Sequence, residues 1–88
     1  MRISKEKQEK ISEHILETIY LNSPSALFTS HISKEVARDE EFVKKILHEL
    51  KKKKLVVKIN KNPQGEPYLR RSRWRLSDAA YNIYKNHR

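Results

Sequence analysis

The sequence predicts a small α+β domain that is mainly helical, and three observations lead to this class. Apolar residues recur at helical spacing in four separate stretches of the chain. After residue 54 the apolar period changes from about 3.6 to about 2, which is typical of a strand. A polar segment with the only glycine and two of the three prolines then separates two strand-like runs, as in the loop of a hairpin.

The length of the chain, 88 residues, suits one domain spanning 1–88 with a single modest core. There is no cysteine, so disulfides, thiolate metal sites and thiol nucleophiles are excluded. No apolar run approaches the roughly 18 residues of a membrane span, and "MRISKEKQEK" lacks the apolar centre of a signal peptide. We therefore expect a cytoplasmic protein without membrane contact, associated with the nucleoid if its source is prokaryotic.

The first half of the chain predicts two helices before its basic region. Helix one is expected at about 5–21, where apolar residues recur every three or four positions, and the turn sequence "NSPS" ends it. The following "ALFT" is a candidate for a brief strand. Helix two is expected at about 30–38, with Thr29 or Ser30 as its cap and Ala37 among its inward residues.

Helix three is predicted at about 40–53. Asp39 suits its N-cap, and Glu40 and Glu41 in its first turn interact favourably with the helix dipole. Its inward stripe follows the i, i+3, i+4, i+7 pattern and consists of Val43, Ile46, Leu47 and Leu50. The opposite side of this helix is therefore expected to face solvent.

A hairpin is predicted at about 55–76. Alternation from 55 to 59 indicates its first strand, and in the second strand Trp74 is expected to face the core while the arginines alternate onto the outer face. Ser77 suits the cap of a closing helix at about 78–87. The expected buried side of that helix comprises Ala80, Ile83 and Tyr84.

The positive charge of the protein is concentrated in its central third. The whole chain has a net charge of +9. Residues 1–43 hold six Lys/Arg against eight Asp/Glu, whereas residues 44–75 hold twelve against two, a net +10. Charge that served only solubility would have no reason to cluster, so this asymmetry predicts one binding face for a negatively charged partner.

The order of the predicted elements resembles the winged helix-turn-helix fold of small archaeal and bacterial transcriptional regulators. The resemblance rests on "TSHISKEVARDEEFVKKILHELKKKKLVVKI", similar to the two-helix motif and first wing strand, and on "RWRLSDAAYNIY", similar to the last wing strand and closing helix. The chain departs from the family pattern in "RDE", which lacks the usual glycine, and at Ala80, where glycine is frequent. The resemblance implies a three-helix core with a β-hairpin wing and a C-terminal helix, and a role in DNA binding and transcription regulation.

The resemblance also implies that helix three enters the major groove of double-stranded DNA. Lys44, Lys45 and His48 on its exposed side would then approach bases or the groove wall. The lysine run at its end would neutralise flanking phosphates, and the members assigned to DNA are Lys51, Lys52 and Lys54. Cations at a helix C-terminus also offset the dipole, but we favour phosphate contact because four lysines occur in succession beside a basic hairpin.

The wing is the second predicted contact with DNA, on the minor groove or its phosphates. Guanidinium groups suit narrow grooves and bidentate phosphate contacts. The residues assigned to this contact are Lys58, Lys61, Arg70, Arg71, Arg73 and Arg75. The alternative for Arg73 and Arg75 is a solvated face that deters edge pairing, which we rank second because Glu66 is the only acid in the hairpin.

Other partners remain open at this point. Basic charge does not distinguish duplex DNA from structured RNA, so an RNA-binding or ribosome-associated winged helix is one alternative. The acidic start of helix three would repel phosphates and supports a second alternative, a protein-interaction domain of a larger complex. No spacing typical of catalytic or metal sites occurs, so we expect no enzyme activity, cofactor or metal. The resemblance further implies a candidate homodimer through the first and last helices.

Overall fold

A computed structural model describes residues 5–59 and 72–86 of the protein. Within these ranges the order of elements is α1, β1, α2, α3, β2, β3, α4. The helices are α1 Lys5–Leu21, α2 Thr29–Val36, α3 Glu40–Lys52 and α4 Asp78–Asn86. The strands are β1 Leu27–Phe28, β2 Val56–Ile59 and β3 Arg73–Leu76. This is the predicted winged helix-turn-helix fold, with α2 and α3 as the helix-turn-helix and β2 and β3 as the wing.

The strands form one antiparallel sheet in the order β1-β3-β2, so that β3 is central. Trp74 of β3 lies opposite Leu27 of β1 on one side and Lys58 of β2 on the other. The brief strand expected in "ALFT" is therefore β1. Its pairing ties the segment that precedes α2 directly to the wing.

The core lies between the helices and one face of the sheet. Its buried members are Ile11, Ile15, Leu16, Ile19, Ile32, Val36, Val43, Ile46, Leu47, Leu50, Val56, Trp74, Leu76 and Ala80. All four residues of the stripe predicted on α3 are among them, and Trp74 is only 1% exposed, as strand alternation predicts. Because one side of α3 is held in the core, its other side faces solvent.

Side-chain caps fix the starts of α3 and α4 where the sequence predicts them. The carboxylate of Asp39 accepts hydrogen bonds from the amides of Glu41, at 3.1 Å, and Phe42, at 3.3 Å. The hydroxyl of Ser77 accepts from the amide of Ala80 at 3.2 Å. These bonds satisfy amides that have no partner within a helix, and they fix where each helix begins.

Helix two differs from its prediction of 30–38 at both ends. It ends at Val36, and Ala37, expected to face inward, is exposed at its end with φ 54° and ψ 46°. Neither Thr29 nor Ser30 caps it, because the N-cap position is held by Phe28 without a side-chain bond. The hydroxyl of Thr29 instead accepts a hydrogen bond from the indole of Trp74.

A left-handed residue also ends α3. Lys54 has φ 62°, its amide donates to the carbonyl of Lys51, and the amide of Leu55 donates to the carbonyl of Leu50. This is the pattern of a Schellman motif, in which glycine is the usual left-handed residue because it has no Cβ. The helix accordingly stops at Lys52, one residue before its predicted end. The lysine run thus contains the turn that leads from α3 into the wing.

The closing helix buries less of its apolar side than predicted. Ala80 is buried and Tyr84 is half-buried, but Ile83 is 56% exposed. Ala80 and Tyr84 are one turn apart and face the domain together, while Ile83 lies beside that stripe. The exposed Ile83 therefore belongs to the surface of the domain.

Candidate nucleic-acid interface

The side of α3 opposite the core carries a mixed row of side chains. Glu41, Lys44 and Lys45 are exposed, His48 is half-buried, and together with Phe42 they surround one shallow depression. The width of an α-helix fits the major groove of B-form DNA. In that position this side of α3 would offer ammonium donors, one carboxylate acceptor and an aromatic edge to the bases.

The lysine run continues the positive charge from α3 into the wing. Lys51, Lys52, Lys53 and Lys54 are all exposed, the first two in the last turn of α3 and the others in the turn that follows. The Schellman turn at Lys54 changes the direction of the chain within this run. Such a cluster suits contacts with several phosphates on the strand beside a groove.

His48 lies where the exposed side of α3 meets the sheet. It lines the depression with Lys44 and Lys45, and its ring also meets the indole of Trp74 at a centroid distance of 5.6 Å and an angle of 90°. The Nζ of Lys58 lies 5.9 Å from the centroid of the same indole. His48 of α3 and Lys58 of β2 thus contact the same buried indole, which brings the two side chains near each other.

The environment of His48 favours its neutral form. Burial is the first cause that lowers the pKa of His48 below its ordinary value. The second cause is repulsion from four ammonium groups, those of Lys58, Lys51, Lys44 and Lys52. At neutral pH the surface therefore holds an uncharged imidazole surrounded by cations.

The two described wing arginines make contacts within the domain. The guanidinium carbon of Arg73 lies 4.8 Å from the ring centroid of Phe28, a cation–π contact with β1. Arg75 donates to the carbonyl of Leu76 at 3.0 Å and lies 3.7 Å from the carboxylate of Asp78 at the start of α4. Both arginines thus contact neighbouring elements, and the side chain of Arg75 remains 42% exposed.

Three residues assigned to the wing contact lie outside the described residues. They are Lys61, Arg70 and Arg71. Of the twelve residues assigned to DNA, the structure places Lys44, Lys45 and His48 around one depression, with Lys58 beside His48. Lys53 adds a cation that the sequence-based assignment omits, although the unbroken lysine run already indicates it.

The acidic start of α3 faces a second groove, which shares Glu41 and Lys44 with the shallow depression. This groove, of about 600 Å³, runs between the first turn of α3 and the sheet, and it is lined by Thr29, Ser30, Asp39, Glu40, Glu41, Lys44, Lys58, Ser72 and Trp74 among others. Asp39 is already engaged in capping. Charge on the exposed side of α3 therefore changes from negative at its start to positive at its end, which favours phosphate contact at the end.

Two other kinds of site receive no support from the described ranges. Residues 5–59 and 72–86 contain no group of three or more His, Asp or Glu side chains that could hold a metal ion. In the same ranges no helix has the length and apolar character needed to cross a bilayer.

Solved structures share this fold. The chain superimposes on Staphylococcus aureus MepR in complex with DNA with a TM-score of 0.75 and 21% identity, over 93% of this chain and 64% of that one. With AF1382 of Archaeoglobus fulgidus the TM-score is 0.72 and the identity 21%, over 90% of this chain and 81% of that one. With the PcaV transcriptional regulator of Streptomyces coelicolor, solved with its natural ligand, the TM-score is 0.68 and the identity 20%, over 94% of this chain and 54% of that one.

These similarities establish the fold. The chain spans 64% of MepR and 54% of PcaV, so both proteins contain segments beyond the shared domain. MepR is a transcription regulator of the multidrug efflux pump MepA. No family model matches the chain, and no curated protein matches it.

Proposed function

We propose that this protein is a DNA-binding regulator of transcription that places α3 in the major groove and its basic wing on the minor groove or phosphates. The observation that carries the proposal is the common position of Lys44, Lys45 and Lys58 beside the lysine run, on the solvent side of α3 and its junction with the wing. The fold it shares with MepR, which has been solved bound to DNA, supports the same proposal.

The described cations divide into two groups by their position. Lys44 and Lys45 lie on the middle of α3, where a side chain reaches base edges. The lysine run and Lys58 lie at the end of α3 and on β2, where phosphates flank the groove. We therefore propose that the second group supplies most of the affinity and the first group contributes to sequence preference.

Glu41 limits which bases α3 would accept. Its exposed carboxylate lies at the edge of the same depression as Lys44 and Lys45. A carboxylate repels phosphate but accepts a hydrogen bond from the amino group of cytosine. A register that places Glu41 over bases and the lysine run over phosphates satisfies both charges.

The test is binding to random-sequence duplex DNA across a salt series. For the wild type we expect affinity to fall by several orders of magnitude between low and moderately high salt if about six to ten phosphates are contacted. A variant with Lys51–Lys54 changed to alanine should bind more weakly and show a shallower salt slope. The control for net charge is the double variant Lys7→Ala/Lys10→Ala on α1, compared with Lys51→Ala/Lys52→Ala; only the latter should change the slope.

The same experiment distinguishes the alternatives. Stronger binding to structured RNA than to duplex DNA at equal salt would favour an RNA-binding protein. No binding to either nucleic acid at low salt would overturn the proposal. The acidic start of α3 would then favour a protein-interaction role within a larger complex.

We also propose that the protein forms a homodimer through α1 and α4. Tyr20 near the end of α1 lies 5.5 Å, between ring centroids, from both Tyr81 and Tyr84 of α4. On the same two helices Leu21 is 63% and Ile83 56% exposed. Small domains gain burial by association, and an apolar surface formed by α1 and α4 leaves α3 of each copy free for DNA.

Catalytic activity forms no part of the proposed function. The proteins that share the fold are described as transcription regulators in the cases of MepR and PcaV. A cytoplasmic location, with association to the nucleoid in a prokaryotic source, follows from the proposal and can be tested by co-sedimentation with DNA in a lysate.

A further inference from the structure

We propose that binding of DNA draws a proton onto His48, so that the affinity of this protein for duplex DNA rises as the pH falls. This inference rests on the proposed function, since it concerns the same surface. It assigns to His48 a role different from that of the lysines around it, which keep their charge throughout the neutral range.

The geometry places His48 at the centre of the basic surface. Its ring packs at a right angle to that of Trp74, 5.6 Å between centroids, so the imidazole is in contact with β3 of the wing. The residue also lines the shallow depression on α3 with Lys44 and Lys45. The imidazole is therefore half-buried in the domain, yet it borders the surface that we expect to face the groove.

Among the described residues, the cations that disfavour a proton on His48 lie on α3 and β2, and Lys45 shares its depression. On α3 they are Lys44, Lys51 and Lys52, and on β2 it is Lys58. Trp74, the contact from β3, is uncharged, and Glu41 is the acidic side chain on the rim of the depression. With burial as the larger cause, these cations lower the pKa of His48 in the free protein, so the imidazole is neutral at pH 7.

A bound polyanion reverses this environment. Phosphates paired with Lys51, Lys52 and Lys58 would offset the repulsion that disfavours the imidazolium, and a nearby phosphate would attract it directly. The proton is then held more strongly in the complex than in the free protein. By linkage, DNA affinity increases as the pH falls through the interval between the pKa of the free state and the higher pKa of the complex.

The experiment measures the dissociation constant for a mixed-sequence duplex at constant salt from about pH 8 to about pH 5.5. We expect the wild type to bind more tightly as the pH falls, with a slope approaching about one order of magnitude per pH unit in the steepest part. His48→Gln keeps a hydrogen-bonding side chain that does not titrate, so this variant should lose the rise in affinity at lower pH. His14→Gln, an exposed histidine on α1, is the control and should keep it.

A direct measurement keeps the proposal falsifiable if His48→Gln disturbs the packing on Trp74. The chemical shift of the His48 ring, followed by NMR in the wild type, gives its pKa without and with the duplex. A higher pKa in the complex supports the proposal; an equal or lower pKa overturns it, as does unchanged pH dependence in His48→Gln. Absence of DNA binding at every pH would instead overturn the proposed function, so the two failures are distinguishable.

Discussion

The indole N–H of Trp74 in β3 donates a hydrogen bond of 2.8 Å to the hydroxyl of Thr29, the first residue of α2. The same indole also contacts the ring of His48 in α3. One side chain of the wing thus contacts both helices of the helix-turn-helix. Because Trp74 is 1% exposed, its N–H depends on Thr29 instead of water.

Thr29→Val should destabilise the domain by about 1–3 kcal/mol, since it leaves a buried donor without an acceptor while it keeps the side-chain volume. Urea unfolding, followed by the fluorescence of Trp74, measures this change in the free energy of unfolding. Thr29→Ser retains the hydroxyl and is the matched control. Equal stability of Thr29→Val and wild type would show that the bond contributes nothing net.

The sequence predicts the fold well because apolar spacing determines it. The stripe on α3 and the parity of Trp74 both follow from helical and strand periods that the core enforces. The Trp74–Thr29 bond was not predictable, since Thr29 and Trp74 are distant in sequence and the hydroxyl of Thr29 equally suited a helix cap.

The candidate site was predictable in composition and less so in geometry. Exposed Lys44 and Lys45 follow from the position of the buried stripe on α3. The contact of His48 with Trp74 and that of Arg73 with Phe28 depend on how the sheet packs against α3 and on the pairing of β1 with β3. Such tertiary contacts leave no periodic signal in one sequence.

Ala37→Gly should raise the free energy of unfolding by up to about 1 kcal/mol. Ala37 holds φ 54° at the end of α2, and the left-handed region costs about 1–2 kcal/mol for a residue with Cβ, which exceeds the entropy that glycine adds to the unfolded chain. Denaturant unfolding measures the gain. Ala79→Gly, at an exposed position in the first turn of α4, relieves no positive φ and should bring no gain in stability; a loss at Ala37 or a gain at Ala79 would contradict the argument.

Lys54→Gly should separate stability from DNA binding. The substitution relieves the positive φ of 62° in the Schellman turn and so stabilises the domain. It also removes one cation of the lysine run, so we expect weaker DNA binding and a salt slope reduced by about one. Lys54→Ala is the control, because it removes the same charge without relieving the backbone; it should weaken binding equally and bring no gain in stability.

The pKa of His48 also predicts how stability depends on pH. Its pKa is lowered in the folded protein, so the unfolded chain, with an ordinary histidine pKa of about 6.5, binds the proton more strongly. The neutral form therefore favours folding above that value, and this stability is lost as the pH falls through about 6.5 toward the lower pKa of the folded state. Thermal unfolding of wild type and His48→Gln over this interval should show a larger loss in the wild type. Parallel curves would contradict a lowered pKa.

Ile83→Glu should prevent self-association of the protein while it leaves the folded domain almost unchanged. Ile83 is 56% exposed on α4, so a carboxylate there remains hydrated in a monomer but would be buried without a partner in an interface between α4 helices. Sedimentation velocity over a range of concentrations should show dimer for the wild type and monomer for Ile83→Glu. Asn82→Glu introduces the same charge on α4, one position away from Ile83, and should still dimerise.

A wild type that stays monomeric at the highest concentration would overturn the homodimer. DNA would then be bound by single domains, whose shorter contact with the duplex involves fewer phosphates and gives a smaller salt slope.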